Sequence, residues 1–272
     1  MKSLVRWSAT LGLVGSTLLG SVLTGNLQAL ALPEEQVVKA LQPVPVFTVT
    51  DAQGAPLVAS VPDANNKPQS VAGVFISQKD AQAFVDRLKK DKPDIGKNVQ
   101  VVPVSLAQIF KLRKENQNKP DGLSFAFIPV QQQVQTAQTL MASTGQQGQQ
   151  FQGTPLFVAR GGKEQGYLTI QENGKSVIPF FFEKEQLQQL VDRFKQQKPD
   201  MASTVKVEAV PLEGVIQTLQ SSNNEQLQNI VLVPTQEAIS FLRSLPAASG
   251  QGTPQNPANA GQRPAQQGQP RR

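Results

Sequence analysis

The sequence predicts an α/β (α+β) fold, an internally duplicated pair of half-domains related by a pseudo-twofold, with the sheet covered by helices. Three observations carry this expectation. A long internal repeat aligns, without a gap over residues 71–94 against 177–200. Within each copy, short apolar extended runs alternate with amphipathic helical stripes, the pattern of helices laid on a sheet. The run Pro179-Phe180-Phe181-Phe182 is apolar on both faces of a strand and needs cover on both sides.

The repeat is read directly from the letters. Residues 71–94, VAGVFISQKDAQAFVDRLKKDKPD, align with residues 177–200, VIPFFFEKEQLQQLVDRFKQQKPD. Val85-Asp86-Arg87 falls on Val191-Asp192-Arg193, and Lys92-Pro93-Asp94 on Lys198-Pro199-Asp200. The correspondence runs on through 99–106 against 205–212 and 125–131 against 230–236, and begins as early as 44–47 against 154–157. A unit of this length is too long for a solenoid repeat and reads as a half-domain. The Gln-rich stretch 145–152 marks the junction by composition. The expected organisation is a signal peptide over 1–31, half-repeats over 32–145 and 146–246, and a disordered tail over 247–272.

Each half is expected to read β-β-β-α-β-α-β-α. Extended runs at 44–50 and 57–60 match 155–159 and 167–171, and strands at 71–76 and 177–182 follow. In the next helix of the second half, Leu187, Leu190, Val191 and Phe194 repeat at i, i+3, i+4, i+7. In the first half Ser77 is the expected N-cap, and Ala81, Phe84, Val85 and Leu88 form the same stripe. Both helices are expected to stop before Pro93 or Pro199. Strands at 99–104 and 205–210 come next, then helices built on Leu106, Ile109 and Phe110 or on Leu212, Val215, Ile216 and Leu219. Strands at 124–128 and 229–233 and helices at 130–141 and 235–245 close the halves.

The chain ends differ in kind from the middle. Lys2 and Arg6 precede an uncharged apolar stretch, and Ala29 and Ala31 place small residues where a signal peptidase reads, so cleavage is expected after Ala31. After cleavage no transmembrane span is expected. The last 26 residues are Gln, Pro, Gly, Ala and Asn with Ser249, Thr253, Arg263, Arg271 and Arg272, too poor in apolar surface to offset their ordering entropy. The formal charge is +6, yet residues 32–246 carry 21 basic and 20 acidic groups once both ends are set aside. The basic balance thus belongs to the ends, and nucleic acid is not an expected partner.

Composition also limits the chemistry. The 272 residues contain neither Cys nor His. A disulfide framework, a thiolate nucleophile, an imidazole base and a Ser-His-Asp triad are excluded. No enzyme activity and no cofactor are expected. Glu183 and Glu185 could in principle act as acid and base, but acidic residues in a first helical turn are also what the helix dipole favours. The Asp86-Arg87 and Asp192-Arg193 pairs lie at the rim of their helices, as surface ion pairs or as an interface contact.

Among 13 Phe residues, Phe47, Phe75, Phe157, Phe180, Phe181 and Phe182 cluster in expected strands. They carry two readings: ordinary core, or an apolar groove that grips an extended client. They are the candidate client-binding residues.

The runs VPVFTVTDAQGAPLVAS, AGVFISQKDAQAFVDRLK, KPDGLSFAFIPV, GTPLFVARGGKEQGYLTIQENGKSVIPFFFEKEQLQQLVDRF and VEAVPLEGVI resemble the Tic22 family, over roughly residues 41–245. The family comprises cyanobacterial proteins and a chloroplast intermembrane-space component of protein import. The signal, which lacks a Ser-rich transit peptide, favours a cyanobacterial member. The resemblance implies a pseudo-symmetric "butterfly" fold and a non-enzymatic protein of the periplasm, with the thylakoid lumen as the alternative. It implies a chaperone-like role in protein transport and outer-membrane protein biogenesis, shielding apolar segments of translocating precursors. Unfolded or translocating outer-membrane proteins, and Omp85-type barrel assembly machinery, are the implied partners. The alternative is a structural adaptor that binds the folded machinery and no client.

Overall fold

The computed structural model describes residues 12–14, 33–62, 66–119, 122–145, 148–221 and 225–244. The expected tail over 247–272 lies outside them, as does the expected signal peptide except for residues 12–14.

Two sheets form. A leading strand β1 (Gly12–Val14) and a helix α1 (Glu34–Leu41) come first. The first half continues with β2 (Pro45–Asp51), β3 (Val58–Pro62), β4 (Pro68–Phe75), α2 (Gln78–Asp91), a short α3 (Pro93–Gly96), β5 (Val99–Ser105), α4 (Leu106–Asn116), β6 (Ser124–Ile128) and α5 (Gln131–Ser143). The second half follows the same order: β7 (Pro155–Gly161), β8 (Gly166–Glu172), β9 (Lys175–Phe181), α6 (Lys184–Gln197), a 3-10 turn (Pro199–Thr204), β10 (Lys206–Pro211), α7 (Leu212–Ser221), β11 (Ile230–Val233) and α8 (Gln236–Ser244). A second 3-10 turn, Glu225–Asn229, precedes β11.

The pairings match as well. β2 and β7 run antiparallel to β5 and β10, and β4 and β9 run parallel to β6 and β11. β2 meets β4 at Phe47 opposite Phe75, and β7 meets β9 at Phe157 opposite Phe181. Even the junctions correspond. The Leu106 amide donates to the Val44 carbonyl at 2.8 Å, and the Leu212 amide to the Thr154 carbonyl at 2.7 Å. The β8–β9 hairpin turns on Asn173 and Gly174, whose φ values of 50° and 76° suit the two-residue turn that follows a twisted hairpin.

Alternation along the strands sorts side chains into layers. In β2 and just before it, Val44 and Val46 face the centre while Phe47 and Val49 face outward. In β9 and just beyond, Ile178, Phe180 and Phe182 face the centre while Val177 and Phe181 face outward. The central core joins both sheets to α1, α4 and α7 through Leu41, Leu106, Phe110, Leu212 and Leu219. The strand ending in three phenylalanines is thus covered on both faces, as its sequence requires.

The outer faces are covered by an exchange. Sheet one carries its own α2 and also α8, from the far end of the second half, with Ala238 and Phe241 in the cluster of Phe47 and Phe75. Sheet two carries its own α6 and also α5, from the first half, with Ala137 and Leu140 in the cluster of Phe157 and Phe181. Each exchanged helix also reaches the amino end of the helix beside it. Glu237 of α8 accepts from Ser77 Oγ at 2.8 Å and from the Lys79 amide at 2.7 Å. Gln133 of α5 accepts from the Lys184 amide at 3.1 Å and donates to Glu185 at 2.8 Å. First-turn amides lack intrahelical acceptors, so these contacts lock the exchange at its polar end.

Two expectations change here. The helix α1 was not anticipated; Pro33, Glu34 and Glu35 at its start and Val37 and Leu41 on its buried face are its signals. Phe84, expected in the buried stripe of α2, is 40 % exposed and leans on Phe75 with ring centroids 5.5 Å apart. Ala81 and Val85 alone fill that helix's buried face.

Phe47, fully buried, and the exposed Phe84 should therefore respond differently to truncation. Phe47→Ala is expected to cost about 3–5 kcal/mol, because it empties a closed site. Phe84→Ser is expected to cost less than about 1 kcal/mol. Urea unfolding midpoints of the two variants measure both.

Candidate functional site: an apolar-floored groove between the halves

A groove of about 740 Å³ runs between β6 and α4 of the first half and α7 of the second. Its apolar floor is Phe125 and Phe127, half-exposed, backed by Ile109, Phe110 and Ile216, which are themselves at most 7 % exposed. Its rim carries Lys67, Arg113, Lys114 and Lys119. Lys114 is held by Glu34 of α1 at 2.6 Å. Glu213, the acid at the groove, accepts from the Thr154 amide and hydroxyl at 3.0 and 3.1 Å. A second hollow of about 600 Å³ extends it across the inner face of sheet one, past Thr48, Val102, Val104 and Leu112. Ile109, Leu123 and Phe125 line both, so the two form one continuous surface.

Among the described residues α1 has no counterpart, and that difference leaves the groove open. Helix α1 packs on α4, α7 and β11, and Val37 and Leu41 enter the central core there. As a result β11 is almost wholly buried, while its counterpart β6 is half-exposed along its length. Among the described residues the first half has the same inner face and no helix over it.

The six phenylalanines expected to bind a client lie elsewhere. Phe47, Phe75, Phe157, Phe180, Phe181 and Phe182 are all at most 5 % exposed. Their candidacy as surface residues is corrected: Phe47, Phe75, Phe157 and Phe181 are sealed under outer helices, and Phe180 and Phe182 lie in the central core. The structure brings forward Phe125, Phe127, Leu112 and Leu123 instead. The alternation of Phe125-Ala126-Phe127 marks one apolar face of a strand, but no local pattern says that the face lacks cover.

The other candidate groups are structural. Asp86 and Asp192 each accept from a glutamine one turn earlier, Gln82 at 2.9 Å and Gln188 at 2.8 Å. Asp86 also lies 3.8 Å from Lys89. Glu183 precedes α6 and accepts from the Gln236 amide of α8 at 3.0 Å. Its carboxyl is pushed up from the ordinary range, first by burial, with Glu185 and Glu237 adding to the shift against the lowering effect of that hydrogen bond. Asp80 is pushed up by burial and by Glu237. These acids gather where α2, α6 and α8 begin, and helix dipoles account for them. Among the described residues no group of three or more acidic side chains is placed to hold a metal ion. Among those residues, too, no helix is long and apolar enough to cross a membrane.

Fold and groove together define a mixed α/β protein of two matched halves with an apolar-floored cleft between them. The chain belongs to the Tic22-like family, whose model matches residues 8–244. It is similar to the chloroplast protein TIC 22 of Pisum sativum, at 24 % identity over 84 % of each chain. The Arabidopsis thaliana protein of the same name is 25 % identical over 73 % of this chain and 67 % of its own length. The solved structure of Anabaena Tic22, described under protein transport, superposes with a TM-score of 0.71 at 33 % identity, covering 79 % of this chain and 98 % of that one. Tic22 from Plasmodium falciparum shares the fold, with a TM-score of 0.58 at 20 % identity over 76 % and 95 % of the two chains.

The acid cluster sets a pH dependence. The folded carboxyl of Glu183 titrates above its ordinary value of 4.5, so the native state holds a proton more tightly than the unfolded chain. Its contribution is fully present below that value and is lost as pH rises through the raised one. Glu183→Gln keeps an acceptor for the Gln236 amide. It is expected to raise the melting temperature at pH 7 and to match the unaltered chain near pH 4, the acid end of that window. Thermal melts at the two pH values check this.

Proposed function

We propose that this protein acts in protein transport as a chaperone-like factor of the periplasm, shielding apolar segments of outer-membrane proteins in transit, on a fold that arose by internal duplication. The observation that carries the reading is the groove, where half-exposed Phe125 and Phe127, backed by Ile109, Phe110 and Ile216, are bordered by lysine, arginine and glutamine side chains. An extended barrel strand alternates apolar and polar residues. Laid in this groove, its apolar side chains would meet the floor and its polar ones the rim. Such binding needs no nucleotide, since burial of apolar surface alone drives it. Membership of the Tic22-like family and the likeness to Anabaena Tic22, a protein-transport protein by its description, support the setting.

The test is dilution of a urea-unfolded outer-membrane barrel protein into buffer, followed by light scattering. Roughly stoichiometric amounts of the protein are expected to suppress aggregation. Leu112 is exposed and Leu123 half-buried at the groove, so the double change Leu112→Glu, Leu123→Glu should leave the fold intact by circular dichroism. It is expected to weaken suppression about tenfold, the effect of charging an apolar contact surface. Suppression that survives the double change would remove the groove from the function. No suppression, with saturable one-to-one binding to the folded periplasmic domains of Omp85-type machinery, would replace the reading with that of an adaptor.

A further inference from the structure

Strand β6 borders the groove and ends its sheet. Among the described residues it pairs with β4 alone, in parallel, from Ser124 opposite Val71 to Ile128 opposite Phe75. The Ile128 carbonyl accepts from the Ile76 amide at 3.1 Å, so Ile128 turns its backbone groups to the β4 side. Successive residues of a strand turn their backbone groups to opposite edges, as they turn side chains to opposite faces. Ser124 and Ala126 therefore point to β4 as well, and the amides and carbonyls of Phe125 and Phe127 point to the other edge. Among the described residues these groups have no hydrogen-bond partner. The same two residues place half-exposed rings at the groove, so open edge and apolar floor coincide.

Other strand ends lack this combination. The counterpart β11 is almost wholly buried and has α1 packed on it. Strand β3 is likewise paired on one side only, but its residues are exposed on both faces and Pro62 brings no donor. An added strand there gains hydrogen bonds and no wall against which to bury its side chains. The charge at the groove also has a sign. Lys67, Arg113, Lys114 and Lys119 stand at the rim, and the acid among the lining residues, Glu213, already accepts from Thr154. A strand fixed before binding loses little freedom on accepting another, and β6 is fixed by β4 along its whole length.

We propose that the groove holds its client as an added strand on the β6 edge, taking an extended segment that is apolar at alternate positions and carries a carboxylate at either end. The inference rests on the groove being the client site and specifies how that site binds. Main-chain hydrogen bonds to Phe125 and Phe127 supply an attraction common to all sequences. Side chains supply the selection. Every second one continues the layer of Phe125 and Phe127 and is buried toward Phe110 and Ile216. The others fall beside exposed Ala126, on the solvent side, and are polar for that reason. The end carboxylates meet the cations of the rim. β6 is 5 residues long, so the segment it pairs spans about 17 Å.

The experiment follows amide hydrogen exchange of the full chain by NMR, with and without the capped peptide Glu-Val-Thr-Val-Thr-Val-Asp. With saturating peptide the Phe125 and Phe127 amides are expected to exchange about tenfold more slowly, while those of Ala126 and Ile128 keep their rates. Two peptide versions are N-methylated, one at the valines and one at the threonines. Only one of them is expected to lose binding, about tenfold, since a single edge of the segment meets β6. The variants Phe127→Ala and Phe127→Pro lose the same ring, and proline also deletes the edge amide without touching the β4 ladder. With folding checked by melts, Phe127→Pro is expected to bind about tenfold more weakly than Phe127→Ala. The exchange pattern decides on the unaltered chain alone. Saturable binding that leaves the Phe125 and Phe127 amides unprotected, or equal affinity in the two variants, would overturn strand addition and leave the groove reading in place. No peptide binding beside intact suppression of barrel-protein aggregation would overturn it too, and loss of both would remove the groove reading with it.

Discussion

The exchange of terminal helices is the constraint on which the structure depends. Each sheet has an outer face that its own half covers only in part. Helix α2 buries just Ala81 and Val85 against the first sheet, and the remaining surface of Phe47 and Phe75 needs Ala238 and Phe241 from α8. Ala137 of α5 plays the matching part on the second sheet. Apolar area removed from water stabilises by roughly 25 cal/mol per Å², and here that area exists only between halves. The polar contacts of Glu237 and Gln133 with the opposite half then fix where each helix starts. Neither half is a closed unit, although each has a complete set of elements.

Binding surface arises where the two halves fail to match. Helix α1 covers β11 and leaves β6 open; strand β1 pairs with β8, and among the described residues β3 pairs only with β4. Both additions come from residues that precede the repeat. One shared scaffold thus yields a well-covered second half and an open first half. The groove is a consequence of that difference and needed no specialised insertion. Its floor is continuous with the central core through Leu106, Ile109 and Phe110, which holds the surface in one shape.

Most of the elements were legible in the letters, because strand and helix periods are local. β6 falls where the run Ser124–Ile128 places it, and both amphipathic helices end before Pro93 and Pro199. The double cover of residues 179–182 was legible too, since a strand apolar on both faces cannot meet water. The groove was not. Phe125 and Phe127 have the same pattern as any half-buried strand, and whether a helix lies over them depends on α1, far away in sequence. The six strand phenylalanines misled for the complementary reason: their pattern reports apolar surface, and the helices that cover Phe47 and Phe157 arrive from the other half. Phe84 misled through its spacing. It sits beside the buried stripe, and with α8 sharing the outer face of the sheet, α2 inserts only its two smaller apolar residues.

The cross-half capping contact has a consequence for the order of assembly. Ser77 and Glu237 lie 160 residues apart in the chain. A chain appearing amino-terminus first completes every strand of its first sheet long before the residues that close it exist. The outer face of β2 and β4 stays open until α8 emerges, and α5 waits for a sheet not yet made. Contacts of such long range slow folding and leave it to the finished polypeptide. Each outer face is therefore closed only once residues from both halves are present.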